Sequence, residues 1–133
     1  MRVVPHSGDM DLAWVVEQLR AREPLSHREP RDADRAHFEA MTAPGMIHVG
    51  ASGRVSSREE YVAACTRRYA EGDHGDDDTW VVEQFDVVEH APGLWAATHV
   101  VHQGERVTRR FTLWEWTGER WRARYHQGTP TNG

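Results

Sequence analysis

The chain has 133 residues and a formal net charge of −5, from 21 acidic and 16 basic side chains, all of the latter arginine. This length fits one domain with a buried core, and an apolar share of 38% with six tryptophans argues against disorder. The acidic balance gives no support to a nucleic-acid-binding face, no apolar run is long enough to span a membrane, and the single Cys65 excludes an internal disulfide and fits a reducing compartment.

The first ten residues, MRVVPHSGDM, lack the apolar core of a secretory leader, so a cytoplasmic location is expected. Residues 1–8 read as a loose arm, 9–130 as a single domain and 131–133 as a tail. A helix is predicted from Asp9, its cap, to Arg22, with Leu12, Val15, Val16 and Leu19 on one stripe. Glu23-Pro24 ends it, and 24–31 read as a polar linker. A shorter helix is predicted from Ala33 to Met41, capped by Asp32 and stopped by Pro44-Gly45. A strand follows from Met46 to Ala51. Ser57 with Glu60 forms a capping box for a third helix, Arg58 to Ala70, whose buried face holds Tyr61, Ala64, Cys65 and Tyr69.

Asp73 to Asp78 read as an acidic loop. It holds His74 but lacks the alternating carboxylates of a calcium loop, and no metal site is expected. His99 and His102 point to opposite faces of a strand, which argues against a shared zinc. Strands are predicted over Thr79–Glu89 and Leu94–His102, then a hairpin around Thr117-Gly118-Glu119. In that hairpin Arg110, Thr112, Trp114 and Trp116 share one face, and Arg109, Phe111, Leu113 and Glu115 the other. In the second arm Trp121, Ala123, Tyr125 and Gln127 share a face, opposite Arg122, Arg124 and His126. Three helices with one early strand, then a four-stranded antiparallel meander, make an α+β chain. Apolar groups on both faces of the first hairpin strand predict cover on both sides, by helices on one and a second subunit on the other.

Leu113-Trp114, Gly118, Trp121 and His126-Gln127-Gly128-Thr129-Pro130 resemble the end of a bacterial family of uncharacterised proteins in the nuclear-transport-factor-2-like (NTF2-like) superfamily. Ile47-His48-Val49-Gly50, Gly53-Arg54-Val55 and Ser57-Arg58-Glu59-Glu60 fit the same family. The superfamily also contains SnoaL-like polyketide cyclases, ketosteroid isomerases and the association domain of calmodulin-dependent kinase II. The resemblance implies a cone: a curved, mostly antiparallel sheet wrapped around three N-terminal helices, with an internal pocket.

A pocket in such a cone is expected to be lined by Arg110, Thr112, Trp114, Trp121, Tyr125, Gln127, His48 and His99. Arg110 on a largely apolar wall needs a partner, either an anionic ligand or an internal carboxylate; Arg109 takes its place if the face assignment slips by one residue. His48, His99 and Tyr125 are the candidate catalytic groups, since histidine titrates near neutrality and a phenol donates to a ligand oxygen; all three also read as ordinary core or rim residues. His126 reads as structural, at a dimer interface. Cys65, mid-helix beside alanines, reads as core.

Three functions follow. The first is a homodimeric small-molecule-binding domain whose ligand is anionic or carbonyl-bearing, with no cofactor. The second is an isomerase, cyclase or hydratase of the SnoaL or ketosteroid-isomerase kind using histidine acid/base groups, although the Tyr/Asp oxyanion pair and Asp base of ketosteroid isomerases find no match. The third is an interaction or oligomerisation module.

Overall fold

A computed structural model describes residues 10–73 and 79–131. The expected arm, the Asp9 cap, most of the acidic loop with His74 and the last two tail residues lie outside this range. The elements run α1 (Leu12–Arg20), α2 (Arg35–Ala40), β1 (Thr42–Val49), β2 (Val55–Ser57), α3 (Arg58–Ala70), β3 (Val81–Ala91), β4 (Leu94–Gln103), β5 (Arg106–Trp116) and β6 (Trp121–Pro130). All six strands form one open sheet in the order β2-β1-β6-β5-β4-β3. The α+β expectation holds, with one strand more than predicted, because Val55–Ser57 pairs back on β1.

Local chemistry explains the helix limits. Ser57 and Glu60 form the expected capping box, each side chain bonded to the other's backbone N–H. The second helix is shorter than predicted: Asp34, not Asp32, caps it by accepting from the His37 N–H at 3.1 Å. Pro44-Gly45 does not lie between helix and strand but inside β1, where the register against β6 shifts between Thr42 and Ile47 and Gly45 takes φ +77°. Glycine alone adopts that angle without strain.

The early strand lies parallel to the last one, and its register sets Ile47 beside Tyr125 and His48 beside His126. β3 to β6 form the expected antiparallel meander. The helices cover the inner face of the sheet. Val15 and Leu19 of α1, Phe38 of α2, and Val62 and Cys65 of α3 are buried with Trp95, Ala97, Trp114 and Ala123 from the strands. Trp14 packs edge-on against Trp116 at 5.5 Å. A wholly buried side chain of the size of Leu19 contributes about 2–3 kcal/mol, so α1 is held by packing more than by its termini, where Asp11 makes no side-chain cap bond.

One irregularity decides which side chains face inward. Trp114 pairs with Ala123, yet the adjacent Leu113 pairs with Tyr125, so Arg124 is the extra residue of a β-bulge. Trp121 and Ala123 point inward on one side of the bulge. Beyond it, His126 and Gly128 are buried while Gln127 is exposed and Tyr125 half-buried. The predicted facing of Tyr125 and Gln127 is therefore reversed: strict alternation holds only while the register is unbroken.

Candidate basic cavity at the mouth of the cone

His126, which alternation had sent outward, stands inside. Its ring is 4% exposed, and Nδ1 is 2.8 Å from the hydroxyl of Thr112, itself wholly buried. His48 stacks on it, with centroids 5.1 Å apart and planes 11° from parallel, and Tyr61 of α3 stacks on His48 at 4.5 Å. These rings line a cavity of 220 Å³ together with Ser26, Cys65, Arg68 and Arg110. An adjoining cavity of 230 Å³ shares His27, His48, Arg110 and His126 and adds Arg106 and Gln103.

The charge of this wall is one-sided. Arg68, Arg106 and Arg110 line the two cavities, and none of their described lining residues is Asp or Glu, in a chain whose net charge is negative. Arg110 donates to Thr108 Oγ1 at 3.1 Å and Gln103 Oε1 at 3.2 Å, and forms no ion pair within 4 Å among the described residues. Burial lowers its pKa, but a guanidinium keeps its charge at neutral pH. Arg68 donates to Ser26 Oγ at 3.2 Å and lies 3.7 Å from Cys65 Sγ. Ser26 holds φ +63°, unusual for a residue with a side chain, and its carbonyl accepts from Tyr69 at 2.8 Å. The Tyr61 hydroxyl is buried near Ser26 and Cys65, with no close hydrogen-bond partner among the described residues.

The histidines are held neutral. Burial, then the charges of Arg110 and Arg68, lower His48 to about 4. Burial and then Arg110 bring His99 to about 4. Burial, then His48 and Arg110, hold His126 well below the ordinary range. The cavity thus offers fixed positive charge from arginine and uncharged imidazoles that each donate and accept one hydrogen bond.

Of the residues predicted for the site, His48 and Arg110 line the cavity, and Thr112 stands behind His126. His99 lies opposite Arg110 in register, wholly buried, with neither ring nitrogen partnered. Trp114 and Trp121 belong to the packed core. Trp114 donates its indole N–H to Glu23 Oε2 at 3.1 Å. Tyr125 and Gln127 lie on the outer face, the phenol donating to the Gln127 side chain and packing near Phe111. Sequence reasoning missed His126, Arg68, Tyr61, His27 and Glu23. A larger cleft of 380 Å³ between the end of α1 and β3 is lined by Arg20, Arg28, Glu23 and Glu83; its charges balance, so volume alone does not make it the better site. The described residues include no group of side chains fit to hold a metal ion, and no helix among them is long and apolar enough to cross a membrane.

No family model and no curated protein matches the sequence. Solved structures do. An NTF2-like protein from Cytophaga hutchinsonii superposes with a TM-score of 0.64 at 14% identity, over 92% of this chain and 100% of that one. A protein of unknown function from the DUF3225 family of Pectobacterium atrosepticum gives 0.67 at 17% identity, over 91% of each chain. A putative Ca/calmodulin-dependent kinase II association domain from Exiguobacterium sibiricum gives 0.62 at 17% identity, over 93% and 97%. At such identities the likeness speaks for architecture: the chain has the NTF2-like fold.

Proposed function

We propose that this NTF2-like domain binds a small anionic or carbonyl-bearing molecule at the mouth of its cone, between Arg68 and Arg110, and works as a cytoplasmic homodimer joined through its outer sheet face. The observation that carries the reading is the one-sided wall: arginines from α3 and β5 line a cavity whose described lining residues include no carboxylate, and Glu23, whose charge favours that of Arg110, makes no ion pair with it. Buried charges are ordinarily paired, and an anion paired by a guanidinium fork supplies the missing partner. The unpartnered Tyr61 hydroxyl offers a further donor to a ligand oxygen.

A second reading, an acid/base enzyme, is favoured by one feature. His126 is neutral, oriented by Thr112, and faces the same cavity as Tyr61. A general base needs this kind of orientation, although kinship of fold alone assigns no reaction.

Thermal-shift screening of small carboxylates against wild type and Arg110→Ala tests the binding reading. Because no carboxylate among the described residues is ion-paired with Arg110, the variant is expected to stay folded and lose the stabilisation that carboxylates give the wild type. Equal stabilisation of both proteins by every hit overturns the assignment.

A further inference from the structure

The basic wall has two lobes. Arg68, Ser26 and Tyr61 line only the 220 Å³ lobe, and Arg106 and Gln103 line only the 230 Å³ lobe. His27, His48, Arg110 and His126 line both, so they stand where the lobes adjoin. Each lobe alone is smaller than an ordinary small-molecule pocket, about 300–1,000 Å³; together they come within that range. Arg106 and Arg110 lie four residues apart on β5, so both side chains leave the same face of the strand. Each lobe thus has an arginine of its own, and a third arginine is common to the two.

None of the three is ion-paired among the described residues. Arg110 gives Nε to Thr108 and Nη2 to Gln103, and Nη1 has no described acceptor. Gln103 accepts that bond through Oε1, so its amide N–H₂ remains to donate. Burial lowers the pKa of Arg110 most; Glu23 raises it, and Arg106 lowers it again, so the two arginines of β5 repel each other. In the other lobe, the buried Tyr61 hydroxyl has no partner among the described residues and can donate beside Arg68. Arg68 and Arg106 line different lobes, so a single carboxylate satisfies only one of them.

We propose that the two lobes together take a dicarboxylate, one acid held by Arg68 and Tyr61 and the other by Arg106 and Gln103, with Arg110 between them. The inference rests on the anion-binding reading and narrows it to an acid with two heads. A guanidinium beside a phenol or an amide gives each carboxylate donors for both of its oxygens. His48 and His126 line the junction uncharged, so the part of the ligand between its acids is a neutral carbon chain.

Calorimetry at neutral pH with succinate, glutarate and adipate, each beside its own monoamide, tests this. Diacid and monoamide match in length and differ by one charge. The best-fitting diacid should bind about tenfold tighter than its monoamide. Sulfate, whose charge sits on one head, should bind no better than the monoamide. Arg106 is exposed, so Arg106→Gln is expected to fold, and it should erase the preference for the diacid. Arg68→Gln should erase it too. Equal binding of diacid and monoamide by the wild type sinks the inference, whatever becomes of the variants, and leaves the anion site standing. A preference that survives Arg106→Gln, or sulfate bound as tightly as the best diacid, overturns the two-headed assignment. A wild type that binds none of these acids sinks the anion-binding reading, and this inference with it.

Discussion

The imidazole of His48 lies flat on that of His126, 5.1 Å away and within 11° of parallel, in a cavity lined by Arg68 and Arg110. A proton on either ring would set a cation against its neighbour and beside the arginines, in a site partly removed from water. The arrangement is stable only while both rings are neutral.

Acid should therefore weaken the fold. His48, His99 and His126 have folded pKa values below the ordinary 6.5, so their contribution is fully present above pH 6.5 and is lost as pH falls, toward about 4 for His48 and His99. Wholly buried His99 alone accounts for roughly 3 kcal/mol at 1.36 kcal/mol per pKa unit; half-exposed His48 counts for less. Urea midpoints should drop clearly between pH 7 and pH 5, and coincident curves would show that the rings take up protons as easily as in the unfolded chain.

Glu23 works with the opposite sign. Its folded pKa is raised from 4.5 to about 7, so its contribution is present below pH 4.5 and is lost as pH rises through about 7. Glu23→Gln removes the titration. The stability of the variant relative to wild type should improve by about 3 kcal/mol between pH 4.5 and pH 8. A difference that stays constant across this range would place the carboxyl in contact with water.

Trp114→Phe should destabilise the protein by about 1–3 kcal/mol, because it removes the one hydrogen bond that Glu23 Oε2 accepts and leaves both carboxyl oxygens unpartnered. Carbon-13 NMR of the Glu23 carboxyl should show a further rise of its pKa in the variant, since the indole N–H favours the charged form. An unshifted titration would remove the indole from the account.

Ser57→Ala should cost about 1 kcal/mol through loss of the bond to the Glu60 N–H. An unchanged denaturation midpoint would show that the helix starts without its cap.

The capping box at Ser57 was legible because it is local: the groups that meet lie three residues apart. The meander was legible for a similar reason, as each strand is joined to the next by a short turn. The site was only half legible. Arg110 was found because its run alternates regularly and His48 as the titratable side chain of the early strand, whereas the bulge at Arg124 turned His126 inward and Tyr125 outward, and no pattern in RYHQG announces the extra residue. Glu23 was hidden for another reason. In sequence it is the polar residue before a proline that ends a helix, which reads as surface; its burial comes from Trp114, 91 positions away.

The outer face of the sheet carries an apolar patch around Tyr125 and Phe111. Ile47, 37% exposed, lies beside Tyr125, and Tyr125 lies opposite Leu113, two residues from Phe111 on the same face. Phe111 and Tyr125 meet edge-on at 6.1 Å. Glu115, Arg122 and Arg124 form an ion-paired border beside this patch, an apolar centre with a charged rim of the kind that buries well against a second copy. His126, once expected there, is inside and takes no part. If the patch joins two copies, Leu113→Asp places an unpaired charge in the middle of the interface while leaving the inner face intact. The variant should run as a folded monomer in light scattering where the wild type runs as a dimer, and should keep the carboxylate-dependent thermal shift. A wild type that is monomeric at every concentration would leave this face without a second copy of the chain.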